Sequence, residues 1–288
     1  HLPAHRGIRR RGESMNYSLM SYTFKRGRWK DSYSVQDLCD WARKLGLDGI
    51  DWVTTYGVPA GDLRRIMDGS GLKTVCHTFY ADFTAADPEV RQKSLDAVRR
   101  GIEDAVTLGA RIAMLVIPGR KDCSRDEARR RIFDLLGHAV SIAGQAGVTL
   151  TIEPFPGDDS PFVTSDEIRE MVAAAPGLKV TYDAGNLLTG GEDPVEGYLR
   201  LKNDVVFAHF KDWERTEPSA GRRMRDGRWY RPALVGEGIL DYPSLLAALR
   251  EAGYAGYANI EYEGDDYPPH EATARALVSL RDIEARLT

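Results

Sequence analysis

The sequence predicts a single-domain α/β protein, a (β/α)8 TIM barrel over residues 15–288. Two regularities carry this. Short apolar runs alternate eight times with longer amphipathic ones, and glycines recur where an amphipathic run gives way to the next apolar one. A third observation is chemical: four successive apolar runs in the second half end on Glu153, Asp183, His209 and Glu261. Strands alternating with helices give a parallel sheet, and closing that sheet gathers all strand C-termini at one mouth. Side chains at the ends of different strands then converge.

Taken in order, the expected strands are 17–22, 48–53, 72–77, 111–117, 148–153, 179–183, 205–210 and 256–261. Each is short and rich in β-branched or aromatic residues, which is the mark of a strand buried on both faces. The helices between and after them are expected at 35–45, 60–69, 88–108, 125–146, 165–174, 194–202, 242–252 and 270–286. Ser34-Val-Gln-Asp37, Ser124-Arg-Asp-Glu127 and Thr164-Ser-Asp-Glu167 each place a hydroxyl at a helix start and a carboxylate three residues on. Gly46, Gly71, Gly109, Gly147, Gly177 and Gly253 stand where a helix must stop in the left-handed conformation before the next strand. An open doubly wound sheet is the competing topology. Against it, no G-x-G-x-x-G follows the first strand and no G-x-x-x-x-G-K-[ST] occurs. The stretch Asp212–Gly238 reads as a long loop, with Arg222, Arg223, Arg225 and Arg228 free to meet an anionic group, a partner chain or solvent.

Composition narrows the function. The 288 residues are 42% hydrophobic and 28% charged, ordinary values for a globular chain. A formal net charge of -4 supplies no basic field, so nucleic acid is not an expected partner. No apolar run reaches the length of a membrane span, so no membrane is expected either. Cys39, Cys76 and Cys123 are odd in number and far apart, which argues against a disulfide scaffold and for the reducing cytoplasm. Residues 1–14 lack the apolar centre of a signal peptide and are read as a disordered tail or expression remnant, with Met15 the expected native start. Its Arg6, Arg9, Arg10 and Arg11 fit a solvated tail.

A carboxylate or imidazole at the end of a buried strand is costly unless paired or bound to a cation. Four such groups at equivalent positions describe one site, with three oxygen donors and one nitrogen donor. That set suits one divalent ion, Mn2+ first, with Mg2+ or Co2+ alternatives and Zn2+ also accommodated. Around it, His77 ends the third strand and is expected at the same mouth. Lys211 would meet a sugar oxygen or pair with Asp212. Many aromatics, Tyr22, Trp52 and Tyr80 among them, lie near strand ends, where they suit stacking on a ring of a bound molecule. Glu237, His138 and His270 read as loop, surface and packing residues.

The strings TIEPF, YDAGN, AHFKD and VGEGILDYPSLLAALREAGYAGYANIEYE resemble the sugar phosphate isomerase/epimerase superfamily, the xylose-isomerase-like TIM barrels, over nearly everything after Met15. The resemblance implies that Glu153, Asp183, His209 and Glu261 ligate a single metal, and that Glu153 and Glu261 are also the acid/base groups. It implies sugar contacts from Arg215, six residues after the metal histidine, and from the residue three after Asp183. Ketose 3-epimerases of the superfamily have histidine at that last position; this chain has Asn186.

The expected activity is a divalent-metal-dependent sugar isomerase or epimerase. It would abstract a proton beside the carbonyl of a ketose or keto-sugar through an enediolate. Elimination of an aglycone from a 3-keto-glycoside, as in C-glycoside deglycosidase subunits, shares that first step. An abasic-site endonuclease shares the barrel, but needs more metal ligands and a basic groove. A retired barrel that only binds would have lost a ligand, and all four are present. A homo-oligomer, or a second subunit completing the site, is compatible with the sequence.

Overall fold

The computed structural model describes residues 14–287. The tail and its arginines expected over 1–14 therefore lie, except for Ser14, outside the described residues. The strands are β1 Asn16–Met20, β2 Gly49–Val53, β3 Lys73–Tyr80, β4 Ile112–Val116, β5 Thr149–Ile152, β6 Lys179–Asp183, β7 Val205–Phe210, β8 Asp212–Arg215, β9 Arg222–Arg223, β10 Trp229–Ala233 and β11 Tyr257–Ile260. The helices are α1 Ser21–Phe24, α2 Val35–Lys44, α3 Ala60–Gly69, α4 Pro88–Leu108, α5 Arg125–Gln145, α6 Ser165–Ala174, α7 Ala184–Thr189, α8 Pro194–Leu201, α9 Tyr242–Glu251 and α10 Pro269–Arg286.

Eight strands close a barrel in the order β1-β11-β7-β6-β5-β4-β3-β2. Every neighbouring pair is parallel. The eight expected strands are these eight, and the eight expected long helices are also present. Local chemistry explains the agreement. Ser34 and Thr164 form full capping boxes with Asp37 and Glu167, and Ser124 caps α5 through the Glu127 amide. Gly46, Gly71, Gly109, Gly147, Gly177 and Gly253 all take positive φ at the helix–strand junctions.

The sheet divides the apolar core in two. Val75, Cys76, Met114, Val116 and Phe207 form a small cluster that plugs the barrel. The main cluster lies outside it, where side chains such as Ile50, Leu115, Ile152 and Tyr182 meet the helices. Alternation along each strand decides which residues belong to which. Above the plug, the inward positions turn polar: Ser18, Asp51, Thr78, Thr151, Thr181, His209 and Asn259 are all buried.

Two elements differ from expectation. The stretch 212–238 is not an open loop: β8, β10 and β9 form an antiparallel sheet of three strands. Their two to five residues are too short and too arginine-rich to show strand periodicity. Its arginines are committed to the protein. Arg222 and Arg225 each donate to a carbonyl of the loop after β5, Pro156 and Ser160, both at 3.1 Å. Arg223 lies 3.5 Å from Asp158, and Arg228 3.5 Å from Asp226. The second difference is α7, a helix of six residues started by Asp183 itself, whose Oδ1 accepts the Asn186 amide at 2.8 Å.

Candidate metal and acid–base site

Glu153, Asp183, His209 and Glu261 come from β5 or its end, β6, β7 and the end of β11. These strands are neighbours in the order β11-β7-β6-β5. The His209 Nδ1 is the centre of the group. It lies 3.2 Å from Glu153 Oε2, 3.6 Å from Glu261 Oε2 and 3.9 Å from Asp183 Oδ2. Donor atoms of Glu153, Asp183 and His209 all fall within 4.8 Å of one another. The two glutamates sit on the outer strands of this run, with β6 and β7 between them, so they reach the mouth from opposite sides.

His209 Nδ1 and the three named carboxylate oxygens are buried and make no aligned hydrogen bond among the described residues. A buried polar atom without a partner is costly. Three oxygens and one imidazole nitrogen around one point suit a cation, with the Lys211 ammonium 3.2 Å from two of the oxygens, so the residues fit a divalent ion.

Electrostatics agree. Burial pushes Glu261 up to about 8, and its neighbours Glu263 and Asp183 add to that against Lys211 and His209. Burial likewise raises Asp183 to about 6, with Lys211 opposing and Glu153 reinforcing. Burial alone would lower His209; the Asp51 and Glu153 carboxylates outweigh it and raise it well above its ordinary value. At Asp183 and Glu261 burial is the larger cause, and like charge from neighbouring carboxylates adds to it.

Asp51 is a residue that the sequence reading passed over. It is fully buried on β2, with Oδ2 3.3 Å from His209 Nε2. Its other contacts fix it: Thr78 Oγ1 donates to Oδ1 at 3.1 Å, and Asn259 Nδ2 donates to Oδ2 at 3.0 Å. Asn259 in turn accepts from Ser18 Oγ at 2.7 Å. With a cation in place of the second ring proton, a carboxylate behind the histidine would keep the remaining proton on Nε2 and leave the Nδ1 lone pair to the ion. Asp51→Asn is expected to weaken divalent-metal binding about 10- to 100-fold while leaving the fold intact. Titration with Mn2+ measures this, and unchanged affinity would remove Asp51 from the site. The signal was present: the second strand also carries an acid near its end.

The remaining expected site residues divide. Lys211 is at the centre, beside Asp183, Glu261 and Glu263, and not paired with Asp212. Alternation after His209 turns Asp212 to the other side. Asn186 is fully buried next to Asp183, and its side-chain amide makes no hydrogen bond among the described residues. Tyr22 stands at the rim with the half-exposed Tyr80. Burial first, then the charges of Tyr22, Glu153, Glu261 and Glu263, raise the Tyr80 phenol. Tyr56 joins them on a loop where Thr54 and Tyr56 both have left-handed backbone, φ 62° and 51°. That conformation is costly for a β-branched residue and is held here by a 2.8 Å bond from the Thr54 amide to the Thr78 carbonyl.

His77, Trp52 and Arg215 correct the sequence reading. β3 runs on to Tyr80, so His77 lies inside the strand rather than at its end. With Thr78 facing in toward Asp51, His77 faces out, stacked 6.4 Å from Phe79 and near Asp104 of α4. Its pKa falls through burial, against Asp104 and the Trp52 carbonyl. Asp51 occupies the inward position on β2, so Trp52 is fully buried on the outer side in the main core. Arg215 is exposed at the end of β8, lining a groove with residues of α8 and α9 such as Val195 and Leu245. Glu237, by contrast, is the loop carboxylate expected, held by Arg275 at 2.9 Å. His270 packs on Trp41 with ring centroids 4.2 Å apart.

A family model described as xylose isomerase-like TIM barrel matches residues 39–283. L-ribulose-5-phosphate 3-epimerase UlaE of Salmonella paratyphi C (strain RKS4594) is 27% identical over 259 residues, covering 86% of this chain and 81% of that protein. The IOLI protein, solved with a zinc atom, superposes with a TM-score of 0.77 at 17% identity, over 95% of this chain and 99% of that one. The 3-keto-D-glucoside 4-epimerase YcjR from E. coli gives a TM-score of 0.73 at 14% identity, over 93% and 100% of the two chains. These last two likenesses speak for the fold. The family match spans most of the barrel and includes all four strand-end residues, so the chain belongs to the xylose isomerase-like TIM barrel family.

Proposed function

We propose that the protein is a divalent-metal-dependent sugar epimerase or isomerase that moves a proton beside the carbonyl of a ketose or keto-sugar. The observation that carries this is the convergence of Glu153 Oε2, Asp183 Oδ2, His209 Nδ1 and Glu261 Oε2, all buried and without an aligned hydrogen bond among the described residues. These four residues would hold the ion. Three oxygens and one imidazole suit Mn2+, Mg2+ or Co2+, and a Zn2+ ion also accepts such ligands. When bound, the ion supplies Lewis-acid polarisation of the carbonyl and its neighbouring hydroxyl.

The chain supplies the rest. Glu153 and Glu261 approach from opposite sides of the mouth, so one takes the proton and the other returns it on the opposite face. Lys211 and the Asn186 amide are placed to meet sugar oxygens, and Tyr22 and Tyr80 to flank the ring. The named activity of a relative, L-ribulose-5-phosphate 3-epimerase, supports a sugar with a carbonyl next to the inverted carbon. No helix among the described residues is long and apolar enough to cross a membrane.

The test is incubation of ribulose 5-phosphate, free ketoses and 3-keto-glycosides in D2O, followed by NMR, before and after metal removal. Deuterium at the inverted carbon, lost on chelation and restored by Mn2+, is the expected result. Full activity after chelation would overturn the metal role. Release of an aglycone without inversion would make the protein a lyase instead.

A further inference from the structure

Lys211 follows β7 directly, two residues beyond His209, and is 4% exposed. Its ammonium lies 3.2 Å from Asp183 Oδ2, 3.2 Å from Glu261 Oε2 and 2.8 Å from Glu263 Oε1. The first two oxygens are the ones assigned above to the metal. The third is not. Glu263 follows Glu261 by two residues, and both carboxylates reach Lys211. A divalent ion binds carboxylate oxygen at about 2.0–2.2 Å, so it and an ammonium on the same two oxygens would sit within a few ångströms. Repulsion between charges that close is strong in a buried site.

We infer that Lys211 is a movable counter-ion: it balances Asp183 and Glu261 in the metal-free protein and is drawn onto Glu263 when a divalent cation takes those oxygens. This rests on the metal reading above. Lysine suits the part, with a compact charge on a flexible four-carbon stem. Glu263 suits the receiving role because it makes the shortest of the three contacts and accepts a hydrogen bond from Lys211. The lysine's own carbonyl is tied to the Tyr242 hydroxyl at 2.8 Å, so the backbone stays fixed while the side chain moves. Parked on Glu263, the ammonium remains at the mouth and faces a substrate oxygen.

The distinctive consequence is that Glu263 influences metal affinity mainly through Lys211, its direct effect on Glu261 being the smaller part. The experiment is a double-mutant cycle read by Mn2+ titration calorimetry on metal-stripped wild type, Lys211→Met, Glu263→Gln and the double variant. Thermal unfolding of each stripped protein accompanies it. Lys211→Met is expected to bind Mn2+ about tenfold tighter and to unfold at lower temperature when stripped. Glu263→Gln is expected to weaken Mn2+ binding about tenfold in the wild-type background, but less than about twofold when Lys211 is already Met. Equal effects of Glu263→Gln in both backgrounds would overturn the inference, as would unchanged or weaker binding by Lys211→Met. Should stripped Lys211→Met fail to fold, Lys211→Gln takes its place in the cycle with the same expectations. A wild type that binds no Mn2+ overturns the metal reading and this inference together, whereas binding with additive variants overturns this inference alone.

Discussion

Glu261→Gln is expected to lower turnover by about 10²- to 10⁴-fold, the range for losing a positioned acid–base group. Glutamine keeps the shape of the side chain and one oxygen for a cation, but it cannot move a proton. The glutamate is poised for that work: burial, then like charge from Glu263 and Asp183, push it to about 8. A bound cation would draw this down, since it favours the ionised carboxylate. The stronger form of the prediction concerns sidedness. Glu153 remains intact in this variant and still faces one epimer's proton. That epimer is expected to keep exchanging its proton with D2O without inverting, while its partner epimer does neither. Glu153→Gln is expected to show the opposite pattern. NMR on each pure epimer measures it, with Mn2+ titration confirming that both variants still bind metal. Equal exchange from both epimers in either variant would replace the two-face scheme with a single base.

The barrel was legible because parallel strands buried on both faces and amphipathic helices leave different periods, and the capping residues mark the joins. Ser34, Thr164 and the positive-φ glycines act locally, so their effect is written within a few residues. The convergence of the four strand-end residues was legible for a related reason: a charge ending an apolar run needs a partner, and position in the repeat says where. Facing was harder. His77 and Trp52 depend on which residue of a strand points inward, and a strand two or three residues longer than expected changes the answer. β3 continues to Tyr80, and β2 and β3 pair with a register shift between Ile50 and Asp51. Asp51 lies inside β2, two residues short of its end, so the cost of a charge closing an apolar run does not single it out. Its importance comes only from the histidine 158 positions later that it faces. The small sheet of β8, β9 and β10 was illegible because it is held by long-range bonds rather than by pattern.

Those bonds centre on Asp212, and Asp212→Ala is expected to cost about 3–5 kcal/mol of stability, since it strips buried amides of their acceptor. The carboxylate collects four backbone N–H groups. Oδ1 accepts from Trp213 at 2.9 Å and Leu240 at 3.1 Å; Oδ2 accepts from Gly236 at 3.0 Å and Gly238 at 3.1 Å. It thereby pins the chain that returns from β10 to the end of β7, directly below Lys211. Glycine is required at 238, where a Cβ would collide with Asp212 Oδ1. Asparagine makes the decisive comparison. It keeps an oxygen for one pair of amides but turns an NH2 toward the other pair, donor against donor. Asp212→Asn is therefore expected to lose nearly as much as alanine, although it is the smaller change in shape. Denaturant unfolding gives the magnitude, and trypsin gives the location, since Arg222, Arg223, Arg225, Arg228 and Arg231 lie in the segment that would be released. An asparagine variant as stable and as resistant to trypsin as wild type would mean that shape, not the fourfold acceptor, holds this sheet on the barrel.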